Sequence, residues 1–263
     1  TWKTNVIGTL NILEALKNLN NKCTAVIITS DKCYDNVEWV WGYRETDTLG
    51  GPDPYSASKG AAELLIRSHI KSFFSSDNCM IKIASARAGN VIGGGDWSAD
   101  RIIPDCVKAW SINEVVKLRN PHSTRPWQHV LEPLSGYMNL ALSLNEDREL
   151  HGESFNFGPS SQHDHSVLEL VENMSNYWDQ VKWEDVSAKT SGPYESGLLK
   201  LNCDKALFRL KWQAAMDFED TVRMTGEWYD NFYNQSEDIK KITFNQIKEY
   251  TKIARSKEIE WAK

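Results

Sequence analysis

The chain has 263 residues, 41% of them hydrophobic and 25% charged, a length that supports one large domain, or a domain with a lobe, around a substantial core. Lys and Arg number 30 against 36 Asp and Glu, for a net charge of −6, which argues against a broad phosphate-tracking surface and hence against nucleic acid as a partner. No apolar run nears the ~20 residues of a membrane helix, and five cysteines without a C-x-x-C spacing point to reduced thiols in a cytoplasmic protein.

In chain order, Val6, Leu10, Leu13 and Leu19 recur at helical spacing and predict an amphipathic helix over about residues 4–19. Thr24–Thr29 is a short run rich in β-branched residues, the signature of a buried parallel strand. Asp53 as N-cap and Pro54 at the first helical position open a helix that should reach about Phe74. Met80–Ala86 reads as the next strand, followed by an irregular loop containing Gly89 and Gly93-Gly94-Gly95. Helix, strand, helix, strand is the pattern of a doubly wound α/β sheet. Beyond about residue 100 the pattern is mixed, with short strands expected at 114–118, 127–131 and 154–157. Helices are expected there at 103–110, 132–144, 166–178, 204–210 and 217–233, and from Ile239 along a stripe of Ile242, Ile247, Tyr250 and Ile253. The expected organisation is a sheet domain over 1–100, a lobe over 101–235 and a helical extension over 236–263. The eleven tryptophans imply aromatic-lined surfaces as well as core. The sequence opens Thr1-Trp2-Lys3-Thr4-Asn5, without Met and already inside a helix, and so reads as a fragment.

Chemistry concentrates at the predicted strand ends. Tyr55 and Lys59 stand at i and i+4 of a helix and share one face. An ammonium beside a phenol favours the phenolate, which is a general base for an alcohol proton. A bare Tyr-x-x-x-Lys also arises by chance on a helix surface, so its context decides. Ser30-Asp31-Lys32 directly follows the strand at Thr24–Thr29, where open α/β sheets bind their ligands. A hydroxyl, an acid and an amine in a row can polarise an oxygen, donate a proton and remove another. Asn90 and Gly93-Gly94-Gly95 form a second strand-end loop, and Arg101 and Arg125 stand where bidentate phosphate contacts are favoured. His163-Asp164-His165 invites a metal, but no third ligand at a suitable spacing accompanies it, and no metal is expected. Cys33, with no His near it in sequence, reads as inert.

Asn5-Val6-Ile7-Gly8-Thr9, Thr29-Ser30-Asp31-Lys32-Cys33-Tyr34, Tyr55-Ser56-Ala57-Ser58-Lys59, Arg87-Ala88-Gly89-Asn90-Val91-Ile92-Gly93 and Arg125-Pro126-Trp127 occur in an order and spacing that resemble the extended short-chain dehydrogenase/reductases acting on sugar nucleotides. The phrases Gly93-Gly94-Gly95-Asp96-Trp97 and Arg125-Pro126-Trp127-Gln128-His129 look like the CDP-linked 4,6-dehydratase branch rather than its dTDP- or GDP-linked cousins. The resemblance runs from residue 1 to about 235. It implies the C-terminal part of a Rossmann-type doubly wound parallel sheet with a smaller mixed α/β substrate-binding lobe, a CDP-hexose or related sugar nucleotide as substrate, and NAD as cofactor.

Carried over residue by residue, the resemblance makes Tyr55, activated by Lys59, the base at the sugar's 4-hydroxyl, with Ser30 bonding the same oxygen. Asp31 protonates the departing 6-hydroxyl, and Asn5, Tyr55 and Lys59 face the cofactor. Asn90, Arg101 and Arg125 match positions that bind the nucleotide diphosphate. Lys32 stands where the dTDP-linked enzymes carry Glu, and as a C5 base it needs its pKa pulled down by desolvation or by Lys59. Epimerases and reductases of the same fold need the Tyr and Lys but not an acid/base pair after the Ser, so Asp31-Lys32 favours dehydration; a non-catalytic nucleotide-sugar-binding remnant is the alternative from another class. The helices at about 4–19 and 54–74 match a pair that forms a four-helix subunit interface, with Ile7, Leu64, Leu65 and Ile66 as its apolar surface, which implies a homodimer. The sequence contains no G-x-G-x-x-G, so tight NAD binding by this chain alone is not expected. The strand at 24–29 is expected to carry an unpaired edge.

Overall fold

Asp53 caps a helix as its sequence position predicts: its carboxylate accepts from the backbone N–H of Tyr55 (2.8 Å) and Ser56 (3.0 Å), and Pro54 supplies the first helical residue. That helix is the second of eight α-helices in a computed structural model that describes residues 1–159, 164–178, 181–189, 198–234 and 237–263. In chain order the elements are α1 (Gly8–Lys17), β1 (Cys23–Ile28), α2 (Pro54–His69), β2 (Ile81–Ala88), β3 (Val91–Ile92), α3 (Ile102–Ser111), β4 (Val116–Leu118), β5 (Thr124–Arg125) and β6 (Gln128–His129). Then come α4 (Leu131–Glu146), β7 (Ser154–Phe157), β8 (His165–Ser166), α5 (Val167–Met174), β9 (Trp183–Asp185), α6 (Asp204–Leu210), α7 (Phe218–Asn234) and α8 (Ile239–Ser256).

The described residues form two compact units, the first from 1–89, 133–158 and 200–213 and the second from 90–132, 159–199 and 214–263. The units are thus interleaved rather than laid out as the blocks 1–100, 101–235 and 236–263. The physical reason is sheet pairing: β7 returns to lie parallel to β2, from Ser85–Ser154 to Ala88–Phe157.

In the first unit, β1, β2 and β7 make a parallel sheet in that order, with Cys23 to Ile28 paired to Ile81 to Ala86. Leu13 of α1 and Ile66 of α2 pack with Ile70, Phe74, Ile81 and Ile83 over Ala25 and Ile27 of β1. This is the doubly wound α/β pattern expected. The first predicted helix divides into a π-helical turn at Lys3–Ile7 followed by α1, and the second ends at His69 and continues as a π-turn over Ile70–Phe74. Leu64 is exposed, but Leu65 is half-buried and Ile66 buried. The last two therefore serve the core and not a free surface, because Ala62, Ile66 and Ile70 share one helical stripe.

In the second unit, Ile103, Val107 and Trp110 of α3 pack with Leu170 and Met174 of α5 and with Val222 and Tyr229 of α7. Parallel pairs β3–β6 and β4–β9 and the antiparallel pair β5–β8 complete it. Helix α5 starts at a capping box, Ser166 with Glu169, and ends at Met174, short of the 178 expected. A second cluster joins Met224 of α7 to Tyr250 and Ala254 of α8. No helix among the described residues is long and apolar enough to cross a membrane.

Candidate active site

The C-terminal end of β1 leads straight into a single 3₁₀ turn over Asp31–Cys33. Ser30 caps it: its Oγ accepts from the Lys32 backbone N–H (3.2 Å) and donates to Asp31 Oδ1 (2.8 Å). Ser30 and Asp31 are both buried. Across from them α2 presents Tyr55 near its start, 45% exposed, with the Lys59 ammonium 5.9 Å from its ring centroid. The Lys59 Nζ donates to the Thr29 carbonyl (3.4 Å), which joins the helix of the Tyr/Lys pair to the strand end of the Ser-Asp-Lys triplet. Burial lowers the Lys59 pKa, with Cys33 and Glu63 acting in the opposite direction.

Asn5 lies in the π-helical turn, a distortion frequent at functional positions. Its Nδ2 donates to Ser58 Oγ (2.9 Å), which in turn donates to the Tyr55 carbonyl (2.7 Å). The predicted residues Asn5, Ser30, Asp31, Lys32, Tyr55 and Lys59 therefore share the first unit, tied by backbone and side-chain bonds. A groove of about 240 Å³ opens beside them, lined by Thr4, Asn5, Thr9, Thr29 and Lys59 together with Gly8 and apolar Ile12, Ile27, Ile28 and Ala62. Ligand pockets run ~300–1,000 Å³, so this groove has room for only part of a dinucleotide; the Asn5 amide and the Lys59 ammonium each carry N–H donors beyond those bonded to Ser58 and Thr29.

Sequence reasoning missed Glu63. It is buried and ionised: burial opposes its charge, yet the Arg87 guanidinium (2.7 Å) and the hydroxyls of Thr29 and Ser85 hold its carboxyl below the usual range. Arg87 also donates to Tyr34 Oη (2.8 Å), whose own hydroxyl donates to Asn156 (2.7 Å). The missed signal was period: Tyr55, Lys59 and Glu63 stand at i, i+4 and i+8, so the acid lies on the face of the pair that carries the chemistry.

Asn90, Arg101 and Arg125 belong to the second unit. Asn90 adopts φ +53°, a left-handed conformation that asparagine tolerates, and its carbonyl accepts from the Gln128 N–H (3.1 Å). Arg101 is the exposed N-cap residue of α3, 3.6 Å from Asp96. Arg125 pairs with His165 in the β5–β8 ladder, and its Nη1 donates to the Thr124 carbonyl (2.8 Å). Gly94 lies against the Trp228 indole, where a β-carbon would come within 2.0 Å of the ring. His163 lies outside the described residues; His165 stacks on Phe218, centroids 3.8 Å apart. Cys33 is fully buried, which pushes its thiol pKa up.

A parallel α/β sheet with a Ser-Asp turn at one strand end and a Tyr/Lys pair on the following helix defines a Rossmann-type dehydrogenase/reductase fold. Solved structures agree on that fold. The chain superimposes on the dTDP-glucose 4,6-dehydratase of Bacillus anthracis in complex with NAD at a TM-score of 0.69 and 19% identity, covering 88% of this chain and 68% of that one. For the UDP-glucuronic acid 4-epimerase of Bacillus cereus in complex with UDP-glucuronic acid and NAD, the TM-score is 0.73 at 18% identity, over 88% and 69% of the two chains. By sequence, the chain is 43% identical over 254 residues to the CDP-glucose 4,6-dehydratase of Salmonella typhimurium, covering 95% of this chain and 70% of that protein. It is 25% identical to the UDP-glucose 4-epimerase of Mycoplasma genitalium, covering 88% and 70%. The profile of the GDP-mannose 4,6 dehydratase family matches residues 1–225, and the chain belongs to that family.

Proposed function

We propose that the protein carries out NAD-dependent 4,6-dehydration of a CDP-hexose, converting CDP-glucose to CDP-4-keto-6-deoxyglucose. The observation that carries this reading is the buried acid Asp31, hydrogen-bonded to Ser30 at the strand end beside the Tyr55/Lys59 helix, in a chain 43% identical to a CDP-glucose 4,6-dehydratase. Simple epimerisation or reduction at C4 needs no such acid.

NAD, when bound, supplies the hydride acceptor for C4 and the hydride donor for C6. The residues divide the proton traffic. Tyr55 removes the 4-hydroxyl proton as the carbonyl forms, and Ser30 bonds that oxygen, with the Lys59 ammonium 5.9 Å from the Tyr55 ring. The 4-keto group acidifies the C5 proton, which Lys32 is placed by sequence to accept and to give back to C5 as hydride returns to C6. Asp31 protonates the departing 6-hydroxyl. Lys59, Tyr55 and Asn5 are assigned to the nicotinamide-ribose end of the cofactor, supported by the donor set of the groove beside them. Asn90, Arg101 and Arg125 are assigned to the diphosphate.

The protein is further assigned as a cytoplasmic homodimer. Five free cysteines support the compartment, and exposed Ile7, in the turn before α1, and Leu64 of α2 support an apolar contact between copies. Sedimentation at micromolar concentration giving only the monomer mass counts against the dimer.

Incubation of the protein with NAD and CDP-glucose, beside UDP-, dTDP- and GDP-linked hexoses, tests the activity. The expected product is lighter by one water and forms fastest from the CDP sugar. A product of unchanged mass with inverted C4 supports the epimerase reading, and binding without turnover supports a non-catalytic role.

A further inference from the structure

A single carboxylate in the first unit touches two strands of the sheet and the residue that follows the third. Glu63 accepts from the hydroxyl of Thr29, the residue after β1, from Ser85 of β2 (2.9 Å) and from Ser154 of β7 (3.3 Å). It projects from α2 one turn beyond Lys59 and two beyond Tyr55. The same Thr29 presents its carbonyl to Lys59, and its peptide leads directly into Ser30 and Asp31. Thr29 is thus grasped twice by one helix, at its hydroxyl by Glu63 and at its carbonyl by Lys59.

We propose that Glu63, acting through the Thr29 hydroxyl, is a positioning residue that fixes the strand end bearing Ser30 and Asp31 against the helix bearing Tyr55 and Lys59. This rests on the dehydratase reading for its consequence in catalysis, though not for its geometry. A two-stage reaction explains the need. The base at C4 and the acid at C6 act on one sugar, so their separation must be held, and a displacement near 1 Å costs ~10²-fold in rate. Lys59 alone cannot set it, because its contact to Thr29 is long at 3.4 Å and its stem is flexible. The Glu63 carboxylate is held by Arg87 and by strand hydroxyls and supplies the rigid second point.

Glu63→Gln probes the charge but leaves buried Arg87 without its counter-ion, and the variant can fail to fold. Thr29→Val keeps Arg87 beside Glu63 as its counter-ion and replaces the hydroxyl with a methyl, with Thr29→Ser as rescue. The first readout needs no turnover: amide hydrogen exchange of the free protein at Lys32, whose N–H is held by Ser30 Oγ. Exchange in Thr29→Val is expected to rise at least tenfold there and to stay unchanged in β2, with Thr29→Ser restoring protection. The second readout is turnover of CDP-glucose: a tenfold to hundredfold drop in kcat with KM within threefold, recovered in Thr29→Ser. Unchanged exchange at Lys32, or a kcat in Thr29→Val equal to the unsubstituted protein's, overturns the inference. If the unsubstituted protein does not dehydrate CDP-glucose, the dehydratase reading fails while the exchange measurement still decides the positioning.

Discussion

Gly89 and Asp31 are in such close approach that a β-carbon on Gly89 would fall 2.0 Å from both Cγ and Oδ2 of Asp31. The carboxyl occupies the space a side chain would fill, at the C-terminal end of β2 beside the C-terminal end of β1. Gly89→Ala must therefore push Asp31 aside, since no β-carbon survives that distance. The expected result is a kcat lower by about 10²-fold, the effect of a displacement near 1 Å, with affinity for the nucleotide sugar little changed. A Gly89→Ala protein with normal kcat removes Asp31 from the chemistry.

Tyr55 is half-exposed and stands over the Lys59 ammonium. Tyr55→Phe deletes one oxygen and leaves the helix cap at Asp53 untouched, because that cap bonds the backbone of residue 55. Loss of a general base costs ~10²–10⁴ in rate. Turnover is expected to fall by that factor, with nucleotide-sugar affinity within a few-fold by calorimetry. Equal loss of rate and binding marks a structural tyrosine instead.

Much of the first unit was legible because its signals are local. Asp53-Pro54 announces a helix start through backbone chemistry that needs no tertiary partner, and Thr24–Thr29 announces β1 through β-branched composition. Thr124–Arg125 and His165–Ser166 were not legible as strands: each is two residues long and is defined only by its antiparallel partner about forty residues away in the chain. The interleaving of the units was hidden for the same reason, since it follows from β7 pairing with β2. In the candidate site, Ser30, Asp31, Tyr55 and Lys59 were visible as motif letters. Glu63 was not, because a glutamate in a helix reads as a solvated side chain until a buried arginine is found opposite it.

Asp31→Asn keeps the shape of the turn, and Asn can still accept the Ser30 hydroxyl that Asp31 Oδ1 now receives. It cannot donate the proton that water loss from C6 requires. Oxidation at C4 is expected to proceed and elimination to slow by ~10²–10⁴, so the absorbance of reduced nicotinamide should rise in a single turnover and persist. If oxidation and elimination disappear together, Asp31 is not the elimination acid.

His129, on β6 in the second unit, should make the protein acid-sensitive. Its ring is buried, Nδ1 accepts from the Leu131 N–H (3.4 Å), and Nε2 has no hydrogen-bond partner among the described residues. Burial, with the Arg223 charge adding to it, pushes the His129 pKa down from 6.5 to about 4. Because the folded value lies below the unfolded one, the unfolded chain binds the extra proton between those limits, and stability falls as pH drops from about 6.5 to 4. The full loss amounts to about 3 kcal/mol at one pKa unit per ~1.4 kcal/mol. Urea unfolding at a series of pH values between 7 and 4 measures it, and His129→Gln, which does not titrate, isolates it from the carboxylates that titrate lower. The variant is expected to start less stable at pH 7, where the buried pocket loses its fit, and to lose less on acidification than the unsubstituted protein. Parallel acid profiles for the two proteins would show that the His129 ring gains its proton without strain on the fold.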